Sequence, residues 1–312
     1  MKKIIVTGAT GQIGSELTLE LRKKYGNENV IAVGHSKPAI GELSAGPFES
    51  CDVTDKDALD ALITKHNPDT IFHLVGILSA TGEKNPELAW NVNMGGLKNV
   101  LDACLKHGIS KVFWPSSIAA FGPTTPRELT PQHTILEPTT MYGVTKVAGE
   151  LLCQYYFKKY GLDIRSIRYP GLISYKTAPG GGTTDYAVAI YFEALKQKSY
   201  EFFVNEETVL PMMYMPDAVR ATIELMEAPS EKITIRTSYN LTAMSFSARE
   251  LSEVVSKEIP GFTSTYNPDS RQLIADSWPK SIDDSVFRND IGFSHEFDLS
   301  KMSKDMLQNI KL

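Results

Sequence analysis

The sequence predicts an α/β fold: a doubly wound parallel sheet joined to a smaller, mixed α/β C-terminal lobe. Three observations predict it. Short apolar runs alternate with amphipathic stretches through the first half of the chain. A glycine-rich turn sits directly between the first apolar run and the first amphipathic stretch. From about Ser174 the alternation loosens into shorter, mixed segments.

The elements follow in order. "KKIIVTG" reads as a buried strand, followed by a helix from about Gly11 to Tyr25, and "NVIAVG" is the second strand. A third strand leads into "CDVTD". "TIFHLVG" (Thr70 to Gly76), "KVFWPSS" (Lys111 to Ser117) and "IRSIRYPG" (Ile164 to Gly171) are further strands, with helical stretches between them. Strands separated by helices run parallel, and both faces of such a sheet are covered. Residues 1–172 and about 213–242 form the expected sheet domain, and about 173–212 and 243–312 the smaller lobe, with a ligand in the crevice.

Composition narrows the function classes. The 312 residues are 42% hydrophobic and 22% charged, values of a soluble globular protein. A net charge of −5 gives no electrostatic reason to bind nucleic acid or an anionic membrane. No apolar run approaches the roughly 18–20 residues of a membrane span, and the run in "MKKIIVTG" ends after Val6, too short for a signal peptide. Cys51, Cys104 and Cys153 are scattered, with no CxxC pair. They fit a reducing compartment and offer no zinc framework, so a cytoplasmic protein without a metal is expected.

"VTGATGQIG" places Gly8, Gly11 and Gly14 after the first strand, with Gln12 and Ile13 between the last two. Such a turn brings backbone N–H groups against a pyrophosphate at a helix N-terminus, the Rossmann arrangement. The acid that usually ends the second strand and grips the adenosine ribose is missing. Gly34, His35, Ser36 and Lys37 stand there instead. No arginine is present to hold a 2′-phosphate, so NAD remains the expected cofactor. His35 and Ser36 are candidates for the ribose hydroxyls, or plain turn residues. Asp52 and Val53 are placed to meet the adenine, and Asp52 serves equally as the N-cap of the next helix.

In "TTMYGVTKVAGE", Tyr142 and Lys146 stand four residues apart, on one helical face. Ser116 and Ser117 end the preceding strand, where α/β sheets hold their ligands. Free tyrosine has a pKa near 10, and a nearby ammonium favours phenolate, so Tyr142 is the expected general base. Ser117 would hold the same substrate oxygen, and Lys146 would also bond the nicotinamide ribose. Tyr155 and Lys159 repeat the spacing, but thirteen residues turn Tyr155 by roughly 220° away from Tyr142. That second pair reads as surface.

These motifs together resemble the extended short-chain dehydrogenase/reductase superfamily. "PSSIAAFGPTTP", "MYGVTKVAGE", "IRYPGLIS", "GGGTTDYAV", "LPMMYMPDAVRAT" and "IADSWPKSIDDS" are similar to its short-chain L-threonine 3-dehydrogenases, nearly end to end. The resemblance implies NAD-dependent oxidation of L-threonine to 2-amino-3-oxobutanoate without metal, by a homodimer built on helices of the nucleotide-binding domain. It assigns catalysis to Ser117, Tyr142 and Lys146, and the nicotinamide half of the site to Leu74, Val75, Gly76 and Leu172. Asn93 resembles an asparagine that steadies the active-site end of a helix; a capping role fits as well. For a zwitterionic amino acid, Ser79, Thr183 and Thr184 are candidate polar contacts and Trp278 a cover for the methyl end. Thr183 and Thr184 follow three glycines whose N–H groups suit a carboxylate. Two alternatives stay open: a nucleotide-sugar epimerase or dehydratase, which would need arginines for a second diphosphate, and a non-catalytic cofactor sensor.

Overall fold

The computed structural model describes residues 1–180 and 182–311. In chain order the elements are β1 (Ile4–Thr7), α1 (Gln12–Tyr25), β2 (Val30–Gly34), β3 (Phe48–Ser50), α2 (Lys56–His66), β4 (Thr70–His73), α3 (Ser79–Lys84), α4 (Pro86–Trp90), α5 (Gly96–His107), β5 (Lys111–Phe113), β6 (Ser116–Ser117), α6 (Met141–Tyr160) and β7 (Asp163–Arg165). There follow β8 (Ile167–Tyr169), β9 (Gly171–Ile173), α7 (Tyr186–Gln197), β10 (Ser199–Phe202), β11 (Val209–Tyr214), α8 (Met215–Glu227), β12 (Tyr239–Asn240), β13 (Met244–Ser247), α9 (Ala248–Glu258), β14 (Thr263–Tyr266), α10 (Arg271–Asp276), α11 (Ser285–Ile291) and α12 (Leu299–Asn309). None of these helices is long and apolar enough to cross a membrane.

The chain divides into two compact units: Met1–Ser116, Thr140–Ile167 and Val219–Tyr239 in the first, Ser117–Thr139, Arg168–Ala218 and Asn240–Leu312 in the second. The first holds a six-stranded sheet in the order β3-β2-β1-β4-β5-β7, parallel throughout. The order reverses between β1 and β4, so their carboxyl ends flank the switch point where such sheets bind ligands. Ile5, Ile31, Ile71, Val112 and Ile164 bury one face under α2, α5 and α6. On the remaining side α1 packs on β1 and β2. The Arg165 side chain, 1% exposed, donates to the Leu225 and Ala228 carbonyls and so ties β7 to the end of α8.

Two expected strands break up. The run from Lys111 to Ser117 is two strands, because Pro115 has no N–H to give a ladder. The run from Ile164 to Gly171 becomes β7 and β8, with β9 beginning at Gly171; only β7 joins the main sheet. The strand expected over Thr70 to Gly76 stops at His73, leaving residues 74–76 as loop.

In the second unit β11 runs parallel to β9 and antiparallel to β13, while β10 pairs with β14. A reciprocal cap between Ser247 and Glu250 starts α9. The Tyr191 and Ser303 hydroxyls, 2.7 Å apart, join α7 to α12.

Candidate active site

The glycine turn is shaped by close approach. Gly8 has φ +75°, and a Cβ there would lie 3.0 Å from the backbone of Leu74. At Gly14 a Cβ would stand 2.2 Å from the Gly8 carbonyl oxygen, so only glycine lets α1 start this close to β1. Gln12 and Ile13 form the first residues of α1, both half-buried. Gly8, Gly11, His35, Ser36, Asp52, Val53, Leu74, Val75 and Gly76 line one cleft of about 650 Å³ in the first unit. A dinucleotide fits this cradle, since the glycines leave backbone N–H groups uncovered at the start of a helix.

Asp52 does not cap the following helix. Asp55 does so, accepting from the Asp57 and Ala58 N–H groups, while Asp52 accepts from the Thr54 N–H and hydroxyl. Asn93 is no helix cap either. It lies in a π-turn over Asn91–Gly95 that joins α4 to α5. Its Oδ1 accepts from the Ile77 N–H at 2.7 Å, and its Nδ2 donates to the Ile77 carbonyl and to Thr145 Oγ1 at 3.0 Å. One side chain thereby ties the loop after β4 to α6.

Helix α6 begins at the cap Thr140, whose hydroxyl accepts from the Gly143 N–H. Tyr142 is half-buried and Lys146 is 5% exposed. The Lys146 Nζ lies 5.3 Å from the Tyr142 ring centroid and 4.6 Å from that of Trp114, and donates to the Pro115 carbonyl at 2.6 Å. Gly149 makes room for the Trp114 ring, which a Cβ would meet at 2.4 Å. Helix α3 packs on α6; Glu83 accepts from the Met141 N–H, and Ser79 is buried at the start of α3. The second pair behaves as surface: Tyr155 is 48% exposed, with Lys159 over its ring.

Burial lowers Lys146 from the ordinary lysine range to about 7, opposed by the thiol of Cys153 and the carboxylate of Glu150. Burial, and then the charge on Lys146, hold His73 near 3 and therefore neutral. His73 Nδ1 is bonded to the Thr7 hydroxyl at 2.8 Å. The lysine has a consequence for stability. Its folded pKa lies below the unfolded one, so the unfolded chain binds more protons between about pH 7 and 10.5. Burying the ammonium costs stability fully below that window, and the cost is relieved as pH rises through it. Relative to Lys146→Met, the wild type is expected to gain stability from pH 6 to pH 10, on the order of 4 kcal/mol. Denaturant melts of both proteins across that range check this, and parallel curves would refute it.

Residues beyond the sequence reading complete this region. Glu150 is 1% exposed and accepts from the Ser116 hydroxyl at 2.6 Å. It lies one turn beyond Lys146, a spacing that would have exposed it as the next member of the same face. Thr10, Asn91 and Val92 also line the cleft, beside the Lys37 that follows β2.

The second unit carries the other candidates. Ser117 accepts from the Ala119 N–H at 3.2 Å. Leu172 lies in β9, paired with Met213 of β11. Thr184 packs against Gly171, where a Cβ would meet it at 2.9 Å, and Thr183 is buried beside it. Of the three glycines before them, Gly181 lies outside the described residues. Trp278 is 6% exposed, just beyond α10.

The profile of the NAD dependent epimerase/dehydratase family matches residues 4–241. The chain belongs to that family. An uncharacterized epimerase/dehydratase from Staphylococcus saprophyticus is 52% identical over 313 aligned residues, covering 100% of this chain and 98% of the relative. Among solved structures of relatives, the L-threonine dehydrogenase from Cupriavidus necator in its holo form superposes with a TM-score of 0.97 at 50% identity, over 99% of this chain and 100% of that one. The L-threonine dehydrogenase from Clostridium difficile gives 0.95 at 51%, over 99% and 98%. A nucleoside-diphosphate-sugar epimerase from Agrobacterium tumefaciens, at 23% identity and a TM-score of 0.86, shares the family's fold.

Proposed function

We propose that this chain is an NAD-dependent L-threonine 3-dehydrogenase, forming L-2-amino-3-oxobutanoate. One observation carries the reading: full-length likeness, at about half identity and TM-scores of 0.95 and above, to proteins named for that reaction. NAD, when bound, would accept the C3 hydrogen together with its electron pair. Tyr142 takes the proton of the C3 hydroxyl as the C3=O bond forms. Ser117 holds that oxygen. Lys146, 5.3 Å from the Tyr142 ring centroid, lends its charge to the phenolate and would bond the nicotinamide ribose. Residues 1–172 and about 213–242 are assigned to the dinucleotide, and the rest to the amino acid. Within these, Gly8, Gly11, Gln12, Ile13, Gly14, His35, Ser36, Asp52, Val53, Leu74, Val75, Gly76, Asn93 and Leu172 serve NAD. Ser79, Thr183, Thr184 and Trp278 serve L-threonine.

The nucleotide-sugar alternative finds little support in the arginines of the C-terminal part. Arg220, Arg236, Arg249, Arg271 and Arg288 are each engaged by a carboxylate, of Glu224, Asp163, Glu207, Asp269 and Asp284 respectively. With purified protein and NAD, absorbance at the NADH band should rise with L-threonine and not with D-threonine or a UDP-sugar. A response to the UDP-sugar alone would overturn the assignment.

The protein is proposed to act in the cytoplasm as a homodimer. Val144, Leu151 and Tyr155 are exposed on one face of α6, and Leu105 is exposed on α5, an apolar surface of the kind that pairs with a second copy. An L-threonine 3-dehydrogenase at 51% identity is named as monomeric. Light scattering is expected to give twice the chain mass, falling to the chain mass in Leu151→Arg; a monomeric wild type would refute it.

A further inference from the structure

The adenosine end of the cleft has an unusual rim. Gly34 closes β2 with no side chain, and none fits easily: a Cβ would meet the Lys37 carbonyl oxygen and Phe48 Cζ at 3.0 Å and Thr10 Cγ2 at 3.2 Å. Position 34 therefore presents no carboxylate. The acid nearest along the cleft lining, Asp52, is already occupied. One of its oxygens accepts twice from Thr54, and the other lies 3.7 Å from His35 Nε2. The rim itself is made by His35, Ser36 and Lys37, all exposed. Lys37 enters no ion pair among the described residues, so its ammonium is available to a ligand.

An acceptor at the end of β2 does two things in this fold: it holds the ribose hydroxyls and repels a phosphate esterified there. This chain has exchanged it for a hydroxyl, an imidazole and an ammonium, a donor set suited to a phosphate dianion. We infer that Gly34–Lys37 form a 2′-phosphate subsite, and that the chain binds NADP as well as NAD. The inference rests on the dinucleotide reading above.

Calorimetric titration of the purified full-length protein with NAD and NADP, without amino acid, separates the two. The expected result is binding of both, with dissociation constants within about tenfold of each other. In Lys37→Glu, exposed and remote from the chemistry, NADP should weaken by about tenfold or more while NAD changes less than about twofold. Adenosine 2′,5′-bisphosphate should compete better than AMP in the wild type, and no better in the variant. Binding of NAD with NADP more than about a hundredfold weaker would overturn the subsite and leave the dehydrogenase reading standing. Equal weakening of both dinucleotides in Lys37→Glu would also overturn it. Binding of neither would remove the dinucleotide reading itself.

Discussion

Tyr142→Phe is expected to lower kcat by about a thousandfold, within the range that one acid–base group supplies. The substitution removes one oxygen. It keeps the ring that faces the Lys146 ammonium at 5.3 Å and leaves the Thr140 cap of α6 untouched. Dinucleotide affinity should therefore stay within about twofold of the wild type, because the glycine turn and cleft lining lie on other elements. Steady-state rates with L-threonine, paired with calorimetric titration of NAD, test both halves. A variant turning over within tenfold of the wild type would remove Tyr142 from its role as base.

The second large effect is expected at Gly14. An added methyl would lie 2.2 Å from the Gly8 carbonyl oxygen and 2.8 Å from the Ala9 Cα. Both are backbone atoms of the turn, so no rotamer change relieves the overlap. Gly14→Ala must push α1 away from the end of β1 and widen the turn on which a pyrophosphate would sit. NAD affinity should fall by about a hundredfold or more, with a thermal midpoint lower by several degrees. Gly41→Ala is the contrast in the same domain: a Cβ there meets nothing within 4 Å, although its φ of +56° adds strain. It should lose stability without losing affinity. Native NAD binding by Gly14→Ala would mean that the close approach has no part in holding the dinucleotide.

Much of the fold was legible because it rests on short-range signals. The turn of Gly8, Gly11 and Gly14 needs only the strand before it and the helix after it, and both are present. The Tyr142–Lys146 pair follows from helical spacing, as does the exposure of its counterpart Tyr155. What escaped depends on partners far apart in sequence. The break at Pro115 has a local cause, a residue with no N–H to give, whereas the bond from Ser116 to Glu150 forms only once α6 lies beside β6. Asn93 shows the same limit. Nothing in "NVNMGG" announces that its amide spans from Ile77 to Thr145, 16 residues one way and 52 the other. Asp52 was ambiguous because a carboxylate shortly before a helix serves a cap or an Asx turn, and the sequence supplies both Asp52 and Asp55 ahead of Lys56.

The crowding at position 34 also constrains how an acid could enter this strand end. Its Cβ would sit 3.0 Å from a ring atom of Phe48 and 3.0 Å from the Lys37 carbonyl oxygen. Trimming residue 48 removes the first contact and leaves the second, a backbone atom of the turn. A substitution at 34 is therefore coupled both to the ring at 48 and to the path of the chain through residue 37, and changes made there together are not expected to add.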